Sequence, residues 1–192
     1  MGIPRIDTGP MTISEFYAFT DTRPDEERWE LIEGEPVLNA SASRLHQIIA
    51  ANVIFLLKGA LLNNPSWEVL PRLGLKVSDI NRPEPDIMIR PKREPAGESG
   101  RDCDDAVVLF EILSPSTANR DLRWKRKAYA LLPSVSDYAV IAQDAVEVVV
   151  YERKTGFAER RLESAGAALE LTSIGVTLPL ADIYRDTGLG EK

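Results

Sequence analysis

Glu111 interrupts an otherwise apolar stretch, Val107-Val108-Leu109-Phe110-Glu111-Ile112-Leu113, and Lys125 lies within the apolar stripe of the segment that follows. Taking an ionised carboxylate or ammonium out of water is costly unless it is paired or bound to metal. Both placements therefore need a reason. Asp86, at the head of the apolar Ile87-Met88-Ile89, supplies a second acid. Two carboxylates and a lysine are what metal-assisted phosphodiester hydrolysis requires. The acids offer hard oxygens to Mg²⁺, with Mn²⁺ as an alternative, and the metal acidifies a water and neutralises charge at phosphorus. The lysine orients or deprotonates that water and stabilises the transition state. The competing reading is a buried Glu111–Lys125 ion pair that only fixes a helix on a sheet.

The elements that must position these groups can be traced along the chain. Thr12 and Glu15 have capping-box spacing for a short helix. Trp29-Glu30-Leu31-Ile32 and Pro36-Val37-Leu38 flank Glu33-Gly34-Glu35, a small hairpin in which Gly34 supplies a positive φ. Ser43 to Leu62 is the longest helical stretch, with Leu45, Ile49, Asn52, Val53, Leu56 and Ala60 on one face and Asn63-Asn64-Pro65 ending it. Strands are expected at Trp67 to Val77, Asp86 to Arg90 and Ala106 to Leu113, with Pro91 to Asp105 as a mobile polar loop. A helix from about Ala118 to Leu132 follows, then a hairpin of Asp137 to Ala142 and Val146 to Arg153 turning at Asp144-Ala145, a strand at Phe157 to Leu162, and a helical turn at Asp182-Ile183-Tyr184.

The strand-helix-strand unit from Val107 to Ile141 implies parallel strands buried on both sides. Period-two alternation puts Leu109, Glu111 and Leu113 on one face and Val108, Phe110 and Ile112 on the other. At about 100° per residue from Asp121, Trp124, Ala128, Leu131 and Leu132 form an apolar arc that contains Lys125 at about 40°. Arg123, Arg126 and Lys127 fall opposite. Of this basic cluster only Lys125 is aimed at the sheet.

Composition sets the frame. At 192 residues, 44% hydrophobic and 28% charged, the chain fits one α/β or α+β domain able to bury a full core. Cys103 is the sole cysteine, which excludes an intrachain disulfide and a thiolate metal cluster. The longest apolar run, Val53 to Leu57, is too short for a membrane span, and the opening MGIPRIDTGP has no signal-peptide pattern, so a cytoplasmic protein is expected. The net charge of −7 is uneven: residues 118–130 carry +4, leaving −11 for the remainder. A basic ridge on an acidic body suits an enzyme that meets a polyanion at one edge, although such ridges are commonly just solvated faces.

Glu30-Leu31-Ile32-Glu33-Gly34-Glu35, the helix bearing His46-Gln47, Pro85-Asp86-Ile87, Glu111-Ile112-Leu113-Ser114-Pro115-Ser116-Thr117, then Asp121, Lys125, Tyr129 and Asp137-Tyr138 resemble the Uma-type putative restriction endonuclease family of the PD-(D/E)XK nuclease superfamily. The resemblance runs from about Thr12 to Tyr184. It implies a restriction-endonuclease-like core in a single domain over 1–192, a mixed α+β fold with a central mixed sheet flanked by helices. It also implies Asp86 and Glu111 as Mg²⁺ ligands. The superfamily's commoner lysine position is occupied here by Leu113, so its role passes to Lys125. Glu30 would add a carboxylate, and His46 would touch a metal-bound water or a phosphate. Against these last two stand a surface residue of the hairpin and a core histidine beside Val53 and Leu57. Tyr129 is expected to pack and hydrogen-bond. The chain departs from the family at Ala139, where a tryptophan is usual. The expected activity is Mg²⁺-dependent endonucleolytic cleavage of DNA, with RNA left open and a homodimer suited to cutting two strands. The alternative is an inactive nuclease-fold protein that serves as an oligomeric DNA- or protein-binding module.

Overall fold

The computed structural model describes residues 9–93, 100–113 and 118–190, without the side chains of 118–122. The motif residues Ser114 to Thr117, the side chain of Asp121 and residues 94–99 of the polar loop lie outside the described residues. The elements run α1 (Ile13–Thr20), β1 (Trp29–Ile32), β2 (Glu35–Leu38), α2 (Arg44–Ala60), β3 (Trp67–Pro71), β4 (Gly74–Leu75), β5 (Ile87–Pro91), β6 (Asp102–Cys103), β7 (Val108–Leu113), α3 (Ala118–Leu131), β8 (Asp137–Ala142), β9 (Val148–Glu152), β10 (Glu159–Leu162), β11 (Ala168–Leu171), β12 (Val176–Pro179) and α4 (Leu180–Ile183). The fold is mixed α+β. Its centre is a six-stranded sheet in the order β10-β9-β8-β7-β5-β3, in which β7 and β8 pair in parallel and the other neighbours are antiparallel.

The alternation in β7 sorts the core into two layers. Val108, Phe110 and Ile112 join Ile49, Val53 and Leu57 of α2, whereas Leu109 joins Met88, Tyr129 and Tyr138 on the opposite face. Glu111 shares the face of Leu109 and is therefore turned toward α3. Along α3, Lys125, Ala128, Tyr129 and Leu132 are buried, while Leu131 is 78% exposed. The buried stripe is thus centred on Lys125, and Leu131, expected inside it, lies past its edge. On α2 the stripe is His46, Ile49, Val53 and Leu57. Leu45 and Leu56 are half-buried and Ala60 is exposed, because the helix is rotated to bring His46 inward.

The local turns follow their residue types. Thr12 and Glu15 form the reciprocal capping box, and Glu33 and Gly34 carry φ of 53° and 76°, the paired positive values of a two-residue hairpin. The expected strand over 67–77 is divided. Arg72, at φ 53°, turns the chain after β3, so that β4 leaves the main sheet and pairs in parallel with β6. Part of the expected mobile loop is consequently pinned: Asp105 accepts from Arg90 and Arg93, and Asp102 from Arg82. The hairpin β11–β12 was absent from the sequence-based expectation. Strand β10 covers β9, so the sheet's edge strands are β10 and β3.

Gly74 marks the tightest approach in this region. A Cβ there would overlap Arg82 Nη2 and Asp102 Oδ1, whose ion pair ties the 82–84 segment to β6. Gly74→Ala is therefore expected to lower unfolding stability by about 1–3 kcal/mol, the usual cost of overpacking a site that cannot yield, as read from urea denaturation midpoints at unchanged slope.

Candidate functional site

Three elements converge beneath one cleft. The hairpin strand β1 brings Glu30, the central strand β7 brings Glu111, and α3 lowers Lys125 between them. Lys125 Nζ donates to Glu30 Oε1 at 3.0 Å and to Glu111 Oε1 at 2.9 Å. Tyr129, one turn further along α3, donates its hydroxyl to the same Glu111 oxygen at 2.9 Å. Glu30 Oε1 also accepts the backbone N–H of Glu84 at 2.7 Å, which fixes the hairpin to the segment entering β5. Glu30 and Glu111 are both almost fully buried, so the reading of Glu30 as a surface residue of the hairpin fails.

Asp86 stands immediately before β5 and completes the group from the other side. Its Oδ2 accepts the backbone N–H of Ile112 at 2.8 Å and lies 3.1 Å from His46 Nε2. The inward rotation of α2 noted above is what delivers His46. Ser43 caps α2 by accepting from the His46 backbone N–H, which places the imidazole at the helix's first turn, beside the cleft. His46 is thus a buried member of the α2 face, as its reading as a core histidine has it, and also a partner of Asp86 at the cleft. Its Nδ1 is buried with no hydrogen-bond partner among the described residues.

The cleft has a volume of about 320 Å³, and Glu30, His46, Asp86, Glu111 and Lys125 all line it. All five residues singled out in the sequence are brought together. The structure adds Glu84, Arg28, Arg72, Ser43 and Gln143 to the lining. Glu84 was legible in principle: in Pro83-Glu84-Pro85-Asp86 an extended backbone puts residues two apart on one side. Arg28, Arg72 and Gln143 have no such signal, because their approach depends on how the hairpin, the β3–β4 turn and β8 pack.

The electrostatics are unbalanced. Lys125 faces Glu30 and Glu111, with Asp86 close enough to perturb Glu111. Burial pushes the Glu111 carboxyl up to about 8; the charges of Asp86 and Glu30 push the same way, and Lys125 opposes them without prevailing. Burial by itself would lower the Lys125 pKa, but the charges of Glu111 and Glu30 outweigh it and hold the ammonium above its ordinary value. At Asp86 burial works upward and is overcome by the bond to and charge of His46, the Ile112 N–H and Lys125, so its carboxyl sits below the usual range. Two carboxyls at one cleft are therefore driven in opposite directions, a pattern of sites that handle protons or cations.

Among the described residues, no three acid, histidine or cysteine side chains form a group that could hold a metal ion by themselves. Asp86 and Glu111 remain as two hard-oxygen donors in a pocket lined by four carboxyl groups. That set fits Mg²⁺, which keeps several waters and takes one or two carboxylates. It does not fit Zn²⁺, which prefers a closed set of nitrogen and sulfur ligands.

The chain is similar to known proteins in sequence and in fold. A family model described as "Uma2: Putative restriction endonuclease" matches residues 13–181. An uncharacterized protein of Synechocystis sp. is 34% identical over 79 residues, which span 41% of this chain and 42% of that protein. The crystal structure of a putative nuclease belonging to DUF820 from Anabaena variabilis superposes with a TM-score of 0.76 at 19% identity, covering 91% of this chain and 98% of the other. At that identity the superposition establishes a shared fold. No helix among the described residues is long and apolar enough to cross a membrane.

Glu111 sets a pH dependence. With a folded value of about 8 against 4.5 for the free group, the native chain holds this proton more tightly than the unfolded chain. Stability associated with Glu111 is therefore full below the unfolded pKa and falls as pH rises through the folded value, each unit of displacement being worth about 1.4 kcal/mol. In EDTA, denaturation midpoints should fall between pH 6 and pH 9, and Glu111→Gln should flatten that slope. A slope unchanged in the variant would remove Glu111 as its source.

Proposed function

Because the chain belongs to the Uma2 family of putative restriction endonucleases, we propose that its cleft is the active site of a Mg²⁺-dependent endonuclease that hydrolyses DNA phosphodiester bonds. The carrying observation is the convergence of Asp86, Glu111 and Lys125, from three separate elements, at an open cleft. A purely structural ion pair would have no need of a second and third carboxylate, nor of a cleft above them. The surplus of acid is the feature that favours a cation-binding site over a packing device.

In this reading Asp86 and Glu111 would hold Mg²⁺, or Mn²⁺ in its place, which would supply an acidified water and neutralise the charge that develops at phosphorus. Lys125 keeps a fixed positive charge at the cleft floor, beside the place where that charge develops. Glu30 aims Lys125 through its 3.0 Å contact. His46 and the Ile112 N–H occupy Asp86 Oδ2, so a ligand would meet Oδ1. Tyr129, together with Lys125, holds Glu111 Oε1. On the PD-(D/E)XK plan the lysine would then stand on a helix in place of the strand, here 2.9 Å from Glu111 Oε1. Cleavage of both strands of a duplex would take two copies of the chain.

Incubation of the purified protein with supercoiled plasmid and with a labelled oligonucleotide, in Mg²⁺ or Mn²⁺, should give nicking or cutting. Lys125→Met should reduce the rate by about 10²–10⁴-fold, and Asp86→Asn and Glu111→Gln should also abolish the response to added metal. Absence of cleavage under both metals, or undiminished cleavage in all three variants, would overturn the enzymatic reading in favour of a nuclease-fold binding module.

A further inference from the structure

A second cleft, of about 340 Å³, opens beside the first and lies against α1, the segment that follows it and β1. The two share Arg28, Arg72 and Glu84 as a common wall. Both are lined by acids, Glu84 in common and Asp25 and Glu27 in the second, but the second also gathers Arg23, Arg82 and Arg101 beside the rings of Tyr17 and Trp29.

Some of these cations are already committed. Arg82 is bonded to Asp102 and to the Arg101 carbonyl, and Arg101 to Asp21 at 2.7 Å. Two are not, and a third is held loosely. Arg23 has no carboxylate partner among the described residues; its guanidinium lies 4.3 Å from the centroid of the Phe19 ring and 5.9 Å from that of Trp29. Arg28 forms an ion pair with Glu84 at 3.9 Å, beyond hydrogen-bond range. The Arg72 guanidinium forms no ion pair or hydrogen bond among the described residues, although its backbone is closely held: φ is 53° and its N–H donates to Asp86 O at 3.2 Å. Holding a non-glycine residue in the left-handed region costs about 1 kcal/mol or more. That conformation sets an unpaired guanidinium on the wall between the clefts, on a turn whose backbone is hydrogen-bonded to that of Asp86.

The α3 ridge offers less. Arg126 donates to Phe157 O at 2.6 Å and stacks 4.8 Å from the Tyr151 ring centroid, which leaves Arg123 and Lys127 as its exposed cations among the described side chains.

We propose that the second cleft is the subsite for a single DNA strand running out of the catalytic cleft, with Arg28 and Arg72 taking phosphates on the shared wall and an unpaired base lying against Arg23 and Trp29. Guanidinium groups suit phosphate through paired donors, and a ring-and-guanidinium wall accepts any base face. This rests on the nuclease reading of the first cleft. It adds the path of the strand and the preference for an unpaired flank.

The test reads binding without cleavage. In EDTA, fluorescence anisotropy of a labelled oligothymidylate of about 12 nucleotides, a length within reach of a short groove, is compared with that of a duplex of equal length. The wild-type chain should bind the single strand more tightly. Arg28→Ala/Arg72→Ala should weaken that binding roughly tenfold and reduce the salt slope by about 1.4, near 0.7 for each lost strand phosphate. Arg23→Ala should weaken it without that change in slope, and Arg123→Ala/Lys127→Ala should leave it unchanged; melting temperatures of all variants confirm folding. Binding and slope unaffected by Arg28→Ala/Arg72→Ala, loss in the α3 variant in their place, or tighter binding of the duplex would each overturn the proposal. Cleavage by the wild-type chain with unaltered binding in Arg28→Ala/Arg72→Ala would sink the subsite and leave the nuclease reading standing. Altered binding in a chain that never cleaves would do the reverse.

Discussion

The ammonium of Lys125 is the point at which the hairpin, the central sheet and the covering helix are joined. It bonds Glu30 and Glu111, residues separated from it by 95 and 14 positions respectively, and without it two carboxylates would share a buried site with no cation. Breaking such a cluster at one member is far costlier than never having built it, because the remaining charges stay buried. Each of the three elements therefore takes its position from a charge that the others bring. The hairpin β1–β2 is secured the same way, by Glu30 and by backbone bonds between Leu31 and Arg82, and it pairs with no strand of the six-stranded sheet.

Lys125 does not balance the site. Burial first, and then the charges of Asp86 and Glu30, leave Glu111 with its proton affinity raised against the single ammonium, while His46 and a backbone N–H hold Asp86 ionised. The fold thus stores unfavourable electrostatics at the cleft floor and carries it against the stabilisation of two apolar layers. Stability alone would favour replacing such a group by packed hydrocarbon. A ligand that brings positive charge relieves the imbalance and adds its binding free energy to folding, which is the physical content of reading the group as a cation site.

Much of this was legible in the chain because it is local. The alternation in β7 and the wheel of α3 selected Glu111 and Lys125 and set them facing each other, and the parallel β7–β8 pairing follows from the crossover they bracket. Glu30 and His46 came from resemblance, since nothing local distinguishes a buried hairpin glutamate from an exposed one. The errors have a common cause. The division of the strand over 67–77, the pinning of 100–105 and the exposure of Leu131 all depend on contacts between distant segments: Arg82 with Asp102, β4 with β6, and the seating of α3 on the sheet. Periodicity reports which face of an element is apolar; it does not report how far along the element that face stays covered.

The same distinction bears on how a chain of net charge −7 could meet a polyanion. Net charge governs long-range approach, but the potential inside a low-dielectric cleft is set by the groups lining it. Here the acids lie at the floor, where a cation would mask them, and Arg28 and Arg72 stand on the wall that the proposed strand would cross to reach it. Arg72 ties the two halves together through its backbone. Its left-handed φ ends β3, frees β4 to leave the sheet, and hangs its N–H on the carbonyl of Asp86. The turn that spoils the strand pattern is thus the one that sets an arginine beside the acid, so the least regular piece of backbone near the site is also the piece that joins its two clefts.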